Sequence, residues 1–443
     1  MKALPLFRIL LVALGLIGFC RSRLLAAEPA VPPVRLDERI ILVAPTETTR
    51  EDREIILWQG RVKSALAAEK PSCGSFERLG WAYVAKARRT LDAGYYKLAE
   101  KTADAMDGRF GVTDEALLLR GSVDHNLHRF VEAETVARLL VARRGLAFDY
   151  ALLSDALMEQ GKLAESVAAC QKMMALKPGV DAYSRAANLR WLTGDLPGAI
   201  VAMEAAVGAG SPLDATNTAW TLTRLSGYYL QAGRQEDALR VAESAERLAS
   251  DYPPALLAQG RAFLALGRPS AAVVPLERAE RLNPLPEYQW WLADALRAGG
   301  DEVAATRMEA DIRARGEAAD PRTYSLFLAT RHENTADSIR LATAELSIRG
   351  DVLTQDALSW AREANGDHAG AAAAMQHALS AGTQDARIFL HAGEIALSSG
   401  NEASARKYFD EARKYAGTLT PSEKGLLDSR LRRQATTPTL QPG

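Results

Sequence analysis

Apolar residues recur along most of the chain at the three- and four-residue spacing of an amphipathic helix. Leu256–Pro284 shows this plainly, because two such stretches are separated by Gly267-Arg268-Pro269. Glycine readily takes the left-handed conformation that ends many helices, and proline is accepted in the first turn of the next one. The chain lacks the sustained apolar–polar alternation of a half-buried strand. The pattern therefore predicts an all-α protein made of helical hairpins.

The predicted hairpins form a repeat. A small residue recurs in the first helix, helix A, and successive spacings are 41, 33, 33, 39, 34, 33, 33, 33 and 34 residues. These positions are Gly80, Gly121, Ser154, Ala187, Ser226, Gly260, Ala293, Leu326, Ser359 and Gly393, of which Leu326 alone is large. The two longer intervals indicate a lengthened first hairpin and an insertion near Gly210–Leu213.

The second helix, helix B, carries a matching small residue at its own recurring position. This residue is always alanine or serine, at Ala99, Ala133, Ser166, Ala199, Ala238, Ala272, Ala305, Ser338, Ala371 and Ala405. Two helices can approach closely only where no large side chain separates their backbones. We therefore expect helices A and B of each hairpin to cross where these two small residues meet.

The repeat resembles the tetratricopeptide repeat (TPR), which has 34 residues and small residues at positions 8, 20 and 27, often with proline at 32. With Gly260 at position 8, Ala272, Ala279 and Pro284 fall at positions 20, 27 and 32. The resemblance covers about residues 76–416, with departures at Leu326 and at Glu345, a charged residue at position 27. It implies a TPR-like right-handed superhelical solenoid of about ten helix-turn-helix repeats.

A glycine also marks the turn between helices A and B in seven of the repeats. These glycines are Gly161, Gly194, Gly233, Gly267, Gly300, Gly366 and Gly400. We expect each to end helix A in the left-handed conformation.

The N-terminus resembles a secretory signal peptide. Lys2 and Arg8 precede an apolar run from Ile9 to Cys20, and the small residues Ala26 and Ala27 follow it. The run is shorter than the roughly 20 apolar residues that span a bilayer. We expect residues 1–27 to be a cleaved signal peptide that sends the protein to the periplasm or cell envelope. An uncleaved membrane anchor is the alternative, and only in that case is membrane association expected.

The segments outside the repeats are expected to link or to cap the solenoid. Residues 28–50 are predicted to be an extended linker, and residues 51–75 to contain an amphipathic capping helix with Ile55, Trp58, Val62 and Leu66 on one face. Residues 417–443 are predicted to hold a final capping helix, near Ser422–Arg433, and a disordered tail.

Composition and motifs argue against several classes of function. The formal net charge is −1, from 54 Lys+Arg and 55 Asp+Glu. The chain is therefore not strongly basic, as a nucleic-acid-binding protein is expected to be. Phosphate-binding loops, nucleophile elbows and H-E-x-x-H motifs are absent from the sequence. His125-x-x-His128 is a candidate metal pair without an evident third ligand, and a partly exposed pair of histidines is the alternative. We expect no enzyme activity, no cofactor and no metal.

The TPR resemblance implies that positions 2, 5, 9, 12 and 13 of helix A face the concave groove. Large aromatic residues fall at such positions, with Trp81, Phe327 and Trp360 at position 9, Trp290 at position 5 and Trp191 at position 12. Tryptophan is enriched at binding hot spots, so these five are candidate partner-binding residues. Packing between neighbouring helices is the alternative for each of them. A carboxylate clamp is not supported, because Ser184 rather than lysine stands at position 5 beside Asn188.

These features predict a non-catalytic scaffold that binds another protein or peptide segment in the groove. The alternative is a substrate-binding or regulatory component of a glycan or polysaccharide export or envelope assembly system.

Overall fold

A computed structural model describes residues 35–46, 49–68 and 71–436. This part of the chain contains 23 α-helices and no strand, which confirms the predicted all-α fold. Among these helices, none is both long and apolar enough to cross a membrane. The predicted signal peptide, residues 1–27, lies outside the described residues.

Twenty helices form ten consecutive hairpins, as the repeat predicts. Their bounds, helix A before helix B, are α3 Cys73–Thr90 and α4 Gly94–Phe110, α5 Asp114–Asn126 and α6 Phe130–Arg143, α7 Ala147–Glu159 and α8 Leu163–Leu176, α9 Val180–Leu192 and α10 Leu196–Gly208, α11 Ala215–Gln231 and α12 Gln235–Leu248, α13 Pro253–Ala265 and α14 Pro269–Leu282, α15 Pro286–Ala298 and α16 Glu302–Ala319, α17 Pro321–Arg331 and α18 Thr335–Ile348, α19 Val352–Ala364 and α20 His368–Leu379, and α21 Ala386–Ser398 and α22 Glu402–Lys414.

The other helices flank the hairpins or lie between them. α1 (Leu36–Ile40) and α2 (Arg50–Leu66) precede the array, and α23 (Pro421–Thr436) follows it. Short 3₁₀ turns occupy Pro212–Asp214, within the predicted insertion, and Ala416–Thr418, before α23.

Close crossing of helices A and B is the common core feature of the hairpins. All ten alanine and serine residues at position 20 are fully buried. In the hairpin of α13 and α14, a Cβ atom added to Gly260 would lie 2.5 Å from Cγ of Leu276. Where position 8 is serine, its hydroxyl also forms a hydrogen bond across the crossing. In α11, for example, Ser226 Oγ donates to the carbonyl oxygen of Ala238 at 2.9 Å.

The hairpin of α17 and α18 corrects the predicted repeat register by one residue. Ser325, rather than Leu326, meets Ser338 at the crossing, and each serine hydroxyl donates to the other's carbonyl at 2.8 Å. The turn here lacks glycine, and His332 and Asn334 take the left-handed conformation instead, with φ of 53° and 41°. The predicted departure at Leu326 was therefore wrong, because a turn one residue longer shifts helix A against helix B.

The seven turn glycines predicted from the sequence all have positive φ, between 70° and 93°. Positive φ strains residues that carry a Cβ atom, so these positions favour glycine. The sequence prediction of a left-handed end to helix A is therefore confirmed in these seven repeats.

The described part of residues 28–50 is not simply extended, as the sequence predicted. It includes α1 and is fastened to the first hairpin, because the buried carboxylate of Glu38 pairs with Arg109 at 2.6 Å. Ile41 is fully buried, and its carbonyl accepts hydrogen bonds from Tyr83 Oη at 2.6 Å and from Gln59 Nε2 at 3.1 Å. Side chains far along the chain supply these contacts, so the local sequence does not reveal them.

The solenoid meets itself after one superhelical turn. The amide of Gly350 donates to the carbonyl of Glu159 at 3.0 Å, and Thr383 Oγ1 donates to the carbonyl of Leu192 at 2.6 Å. In both pairs the partners are 191 residues apart, about six repeats. At the first contact a Cβ atom on Gly161 would lie 2.5 Å from the Gly350 carbonyl oxygen, so the backbones touch directly.

Substitution of Gly260 by alanine tests the crossing. The added Cβ atom would push against Leu276, so we expect the free energy of unfolding to fall by about 1–3 kcal/mol. Gly60→Ala is the matched control, because Gly60 lies within α2 and has no atom within 4 Å of an added Cβ. There, alanine should stabilise by about 0.5–1 kcal/mol. Urea unfolding followed by circular dichroism measures both, and equal effects would contradict the close crossing.

Candidate functional site

A cavity of about 300 Å³ lies inside the superhelix, on the wall formed by the A helices. Residues from α9 to α21 and from the 3₁₀ turn before α23 line it, so opposite sides of the superhelical turn contribute. Positions 2, 5, 9 and 12 supply many of these side chains, as the repeat register implies. The lining includes four arginines, four carboxylates and four aromatic residues, namely Arg224, Arg261, Arg322 and Arg387, Glu287, Asp320, Asp356 and Asp385, and Trp191, Tyr228, Trp290 and Trp291.

Five buried polar atoms on this wall have no hydrogen-bond partner among the residues that the structure describes. They are Trp191 Nε1, Tyr228 Oη, Gln231 Oε1, Arg261 Nε and Trp290 Nε1. Four of the side chains are more than nine-tenths buried, and Arg261 is half-buried. Buried polar groups in folded proteins are nearly always paired, so five unpaired atoms on one wall mark an incomplete set of contacts.

The arginines of the cavity differ in how they are neutralised. Arg387 pairs with the buried carboxylate of Glu423 in α23, through contacts of 2.6 and 3.2 Å. Arg224 donates to the amide oxygen of Asn188 at 2.9 Å. Arg261 lies over the ring of Trp291, with 4.9 Å from Cζ to the ring centroid. Burial lowers the pKa of Arg261, and the charge of Glu287 opposes that shift only in part.

Three of the four carboxylates are occupied by their own helices or by a neighbouring histidine. Asp320 accepts the backbone N–H of Thr323 at 3.2 Å, and Asp385 accepts that of Arg387 at 2.9 Å. Both act as helix N-caps. Asp356 contacts Nδ1 of His391 at 2.9 Å, and both residues are buried. Burial raises the pKa of Asp385, although the nearby charge of Arg387 opposes that shift.

The structure brings two of the five predicted groove residues together at the cavity. Trp191 and Trp290 line it and are 9% and 3% exposed. Phe327 is fully buried beside Trp290, with ring centroids 5.7 Å apart. Trp360 is also buried, stacks on His391 at 4.1 Å and donates from Nε1 to Thr330 Oγ1 at 3.0 Å. Trp81 is half-buried and lies apart from the others, in the N-terminal core.

The corrected register explains why Phe327 lies away from the cavity. With Ser325 at position 8, the groove-facing position 9 is Leu326, which does line the cavity. Arg261 follows Gly260 and so falls at position 9 of its helix A, whereas Arg322 and Arg387 were not singled out from the sequence. Their positions, 5 and 2 of helix A, face the groove in the repeat register and could have identified them.

The histidine pair at the second turn is structural. His125 and His128 both pack on Phe130, with ring centroids 5.4 and 5.6 Å away. His128 has φ of 61° and takes the place of the turn glycine. Burial, together with the charge of Arg349, lowers its pKa to about 4. Within residues 35–46, 49–68 and 71–436, no group of three or more His, Cys, Asp or Glu side chains is placed to hold a metal.

The ion pair between Arg387 and Glu423 gives a test by pH. Burial raises the pKa of Glu423, but the charge and hydrogen bonds of Arg387 outweigh it and leave the pKa below its usual 4.5. A carboxyl group whose pKa is lower in the folded protein stabilises the fold at pH values above its pKa in the unfolded chain. This stabilisation is lost as the pH falls through the pKa of the folded protein. We expect Glu423→Gln to cost about 2 kcal/mol at pH 7 and much less at pH 3.

Urea unfolding at the two pH values measures this difference. Glu411→Gln is the control, because Glu411 pairs with the exposed Lys414 and such surface pairs contribute about 1 kcal/mol or less. The same loss for Glu423→Gln at both pH values would contradict an ionised, paired Glu423.

The match to a protein-family model agrees with this architecture. A family model described as tetratricopeptide repeat matches residues 257–307 and 357–418. No curated protein matches the sequence. Similar solved structures include the human IFIT1 dimer with PPP-AAAA, at 12% identity over 86% of this chain and 100% of that chain, with a TM-score of 0.46. They also include Pseudomonas aeruginosa pilF, at 16% identity over 63% and 96% of the two chains, with a TM-score of 0.31.

A tetratricopeptide repeat protein from Parabacteroides merdae is 18% identical over 57% of this chain and 98% of that chain, with a TM-score of 0.32.

The two segments that the family model matches coincide with α13–α16 and α19–α22, where helices A and B cross at the small residues of positions 8 and 20. The same crossing recurs through all ten hairpins. The chain therefore contains tetratricopeptide repeats, which the family model matches in these two segments.

Proposed function

We propose that this protein is an exported, non-catalytic scaffold that binds an amphipathic polypeptide on the inner wall of its N-terminal repeats. Proteins of the family generally act as non-catalytic scaffolds for proteins or peptides. The proposed location rests on the solvent exposure of apolar side chains at groove-facing positions of the N-terminal repeats. On groove-facing positions of α3, α5 and α7, Trp81 and Leu118 are half-buried and Phe148 is 45% exposed. Apolar side chains that keep access to solvent at such positions supply anchors for a partner.

The charges beside these anchors favour a polypeptide over a nucleic acid. Asp155, at position 9 of α7, pairs with Arg185 of α9 at 2.6 Å, and Lys177 lies 4.4 Å from the ring centroid of Phe148. A nucleic acid would be favoured by positive charge throughout, because it presents a continuous row of phosphates. An amphipathic segment matches both the mixed charges and the apolar side chains.

The alternative is a component of a glycan or polysaccharide export or envelope assembly system. It shares the proposed location and differs in the ligand. Binding of envelope polypeptides and of purified envelope glycans to the immobilised protein separates the two, because saturable binding of glycan alone would contradict the polypeptide proposal.

Alanine substitutions test the proposed anchors. We expect Trp81→Ala and Phe148→Ala each to weaken binding of the captured polypeptide by about 2 kcal/mol, roughly 30-fold. Leu139→Ala is the matched control, because Leu139 is equally exposed at 45% but lies on helix B, α6. Titration by fluorescence anisotropy gives the affinities, and circular dichroism verifies the fold. Unchanged affinity in both folded anchor variants would place the partner elsewhere.

Export is tested separately with residues 1–35 fused to a reporter that is active only outside the cytoplasm. We expect activity in a Gram-negative host, and loss of activity when Leu11 and Leu16 are replaced by arginine, since charge within the apolar run blocks signal function. An inactive parental fusion would remove the periplasmic part of the proposal. Cleavage of the fusion near Ala27, read by mass, would separate a signal peptide from an anchor.

A further inference from the structure

We propose that the central cavity binds a small carboxylate-bearing molecule, of the size of a free amino acid or a short dicarboxylic acid, with Arg261 as its principal cation. This site is distinct from the polypeptide surface proposed above and involves a different class of ligand. Either proposal stands if the other fails, because the two use different residues and different probes.

The unpaired atoms indicate what the ligand must supply. The indole N–H groups of Trp191 and Trp290 and the Nε–H of Arg261 are donors only, and Tyr228 Oη donates or accepts. Gln231 Oε1 is the single atom of the five that can only accept. Most of the unpaired atoms are therefore donors that lack an acceptor, and a carboxylate offers acceptors on both of its oxygens.

The pairing of the charged groups favours an anion as the missing group, because Arg261 has no carboxylate of the described residues within ion-pair distance, and Glu287 and Asp385 act on it only from further away. Asp320 and Asp385 already cap α17 and α21, and Asp356 already contacts His391. Glu423 already neutralises Arg387. Arg261 forms no ion pair or hydrogen bond with the described residues, and a guanidinium fork matches a carboxylate in geometry as well as charge.

Size and shape favour a small acid over a nucleotide, a sugar chain or a polyphosphate. A volume of about 300 Å³ lies at the lower end of small-molecule sites. Stacking of a base or sugar is hindered, because the guanidinium of Arg261 lies over Trp291 and that of Arg387 lies over Trp290 at 5.5 Å. The nearby carboxylates of Asp356 and Asp385 would repel any anion, and would repel the several charges of a polyphosphate more strongly than a small acid.

The first experiment uses the full protein and a panel of small probes. The panel is the twenty L-amino acids together with succinate and glutarate, each compared with its carboxamide analogue, and the readouts are Tm and intrinsic tryptophan fluorescence. We expect a saturable rise in Tm and a fluorescence change with at least one carboxylate and not with its amide. Binding by amino acids alone would show that the ammonium group is also recognised. No response to any carboxylate, or an equal response to the amide, overturns the proposal.

The second experiment assigns that binding to the cavity. We expect Arg261→Met to weaken the best probe at least tenfold, while the free protein stays nearly as stable as the parent, because Arg261 has no ion pair or hydrogen bond with the described residues to lose and methionine keeps an apolar contact with Trp291. Arg281→Met, which removes an exposed arginine from α14, should change neither property. Arg261→Lys keeps the charge but loses the fork, and we expect weaker binding in a folded protein. Parental affinity in both Arg261 variants overturns the assignment.

A tryptophan pair provides a further contrast. Trp290→Phe removes an unpaired N–H and should weaken the probe several-fold with little effect on the free protein's Tm. Trp360→Phe removes an N–H that is already bonded to Thr330, so we expect a lower Tm and unchanged probe affinity. If Trp290→Phe instead lowers Tm and leaves probe affinity intact, the indole is structural and plays no part in ligand binding.

Discussion

The close crossing of helices A and B is the constraint on which the rest of this structure depends. Each hairpin has a small residue at position 8 that faces alanine or serine at position 20, and the latter is fully buried in all ten. Because the backbones can approach, larger side chains such as Leu276 fill the space around the crossing. Stacking of identical crossings then sets the angle from one hairpin to the next, and the accumulated rotation produces the superhelix.

The superhelix is tight enough to touch itself. Backbone contacts between residues 191 apart join hairpins about six repeats apart, at Glu159 with Gly350 and at Leu192 with Thr383. The C-terminal helix adds to this closure, because the amide of Ser422 donates to the buried carboxylate of Asp294 at 3.1 Å. A groove that would be open in an isolated hairpin array thereby becomes a cavity with walls on opposite sides.

Closure changes what the inner wall offers to other molecules. The aromatic residues that line the cavity are buried, and the guanidinium groups of Arg261 and Arg387 lie over the rings of Trp291 and Trp290, so little apolar surface is offered there. Charge pairs stabilise that wall where a partner exists, as at Arg387 and Glu423, and unpaired donors remain where none does, as at Arg261. Unpaired buried donors reduce stability, and sites that bind other molecules commonly retain such groups. The N-terminal repeats keep partly exposed aromatic side chains, and we therefore propose that a larger partner binds there.

The sequence by itself determined the ten hairpins, their crossing residues and the seven glycine turns, because these features depend on contacts about twelve residues apart or within one turn. It misplaced the register of α17 by one residue, since Ser325 and Leu326 are adjacent and the glycine that would mark the turn is replaced by His332 and Asn334. The sequence also predicted that five aromatic residues line one groove, although only Trp191 and Trp290 of the five line the cavity. Only the tertiary structure decided which side chains share that cavity and which remain unpaired, because the answer depends on the superhelical pitch. The pitch is the sum of many small rotations between hairpins, and no local pattern in the chain records it.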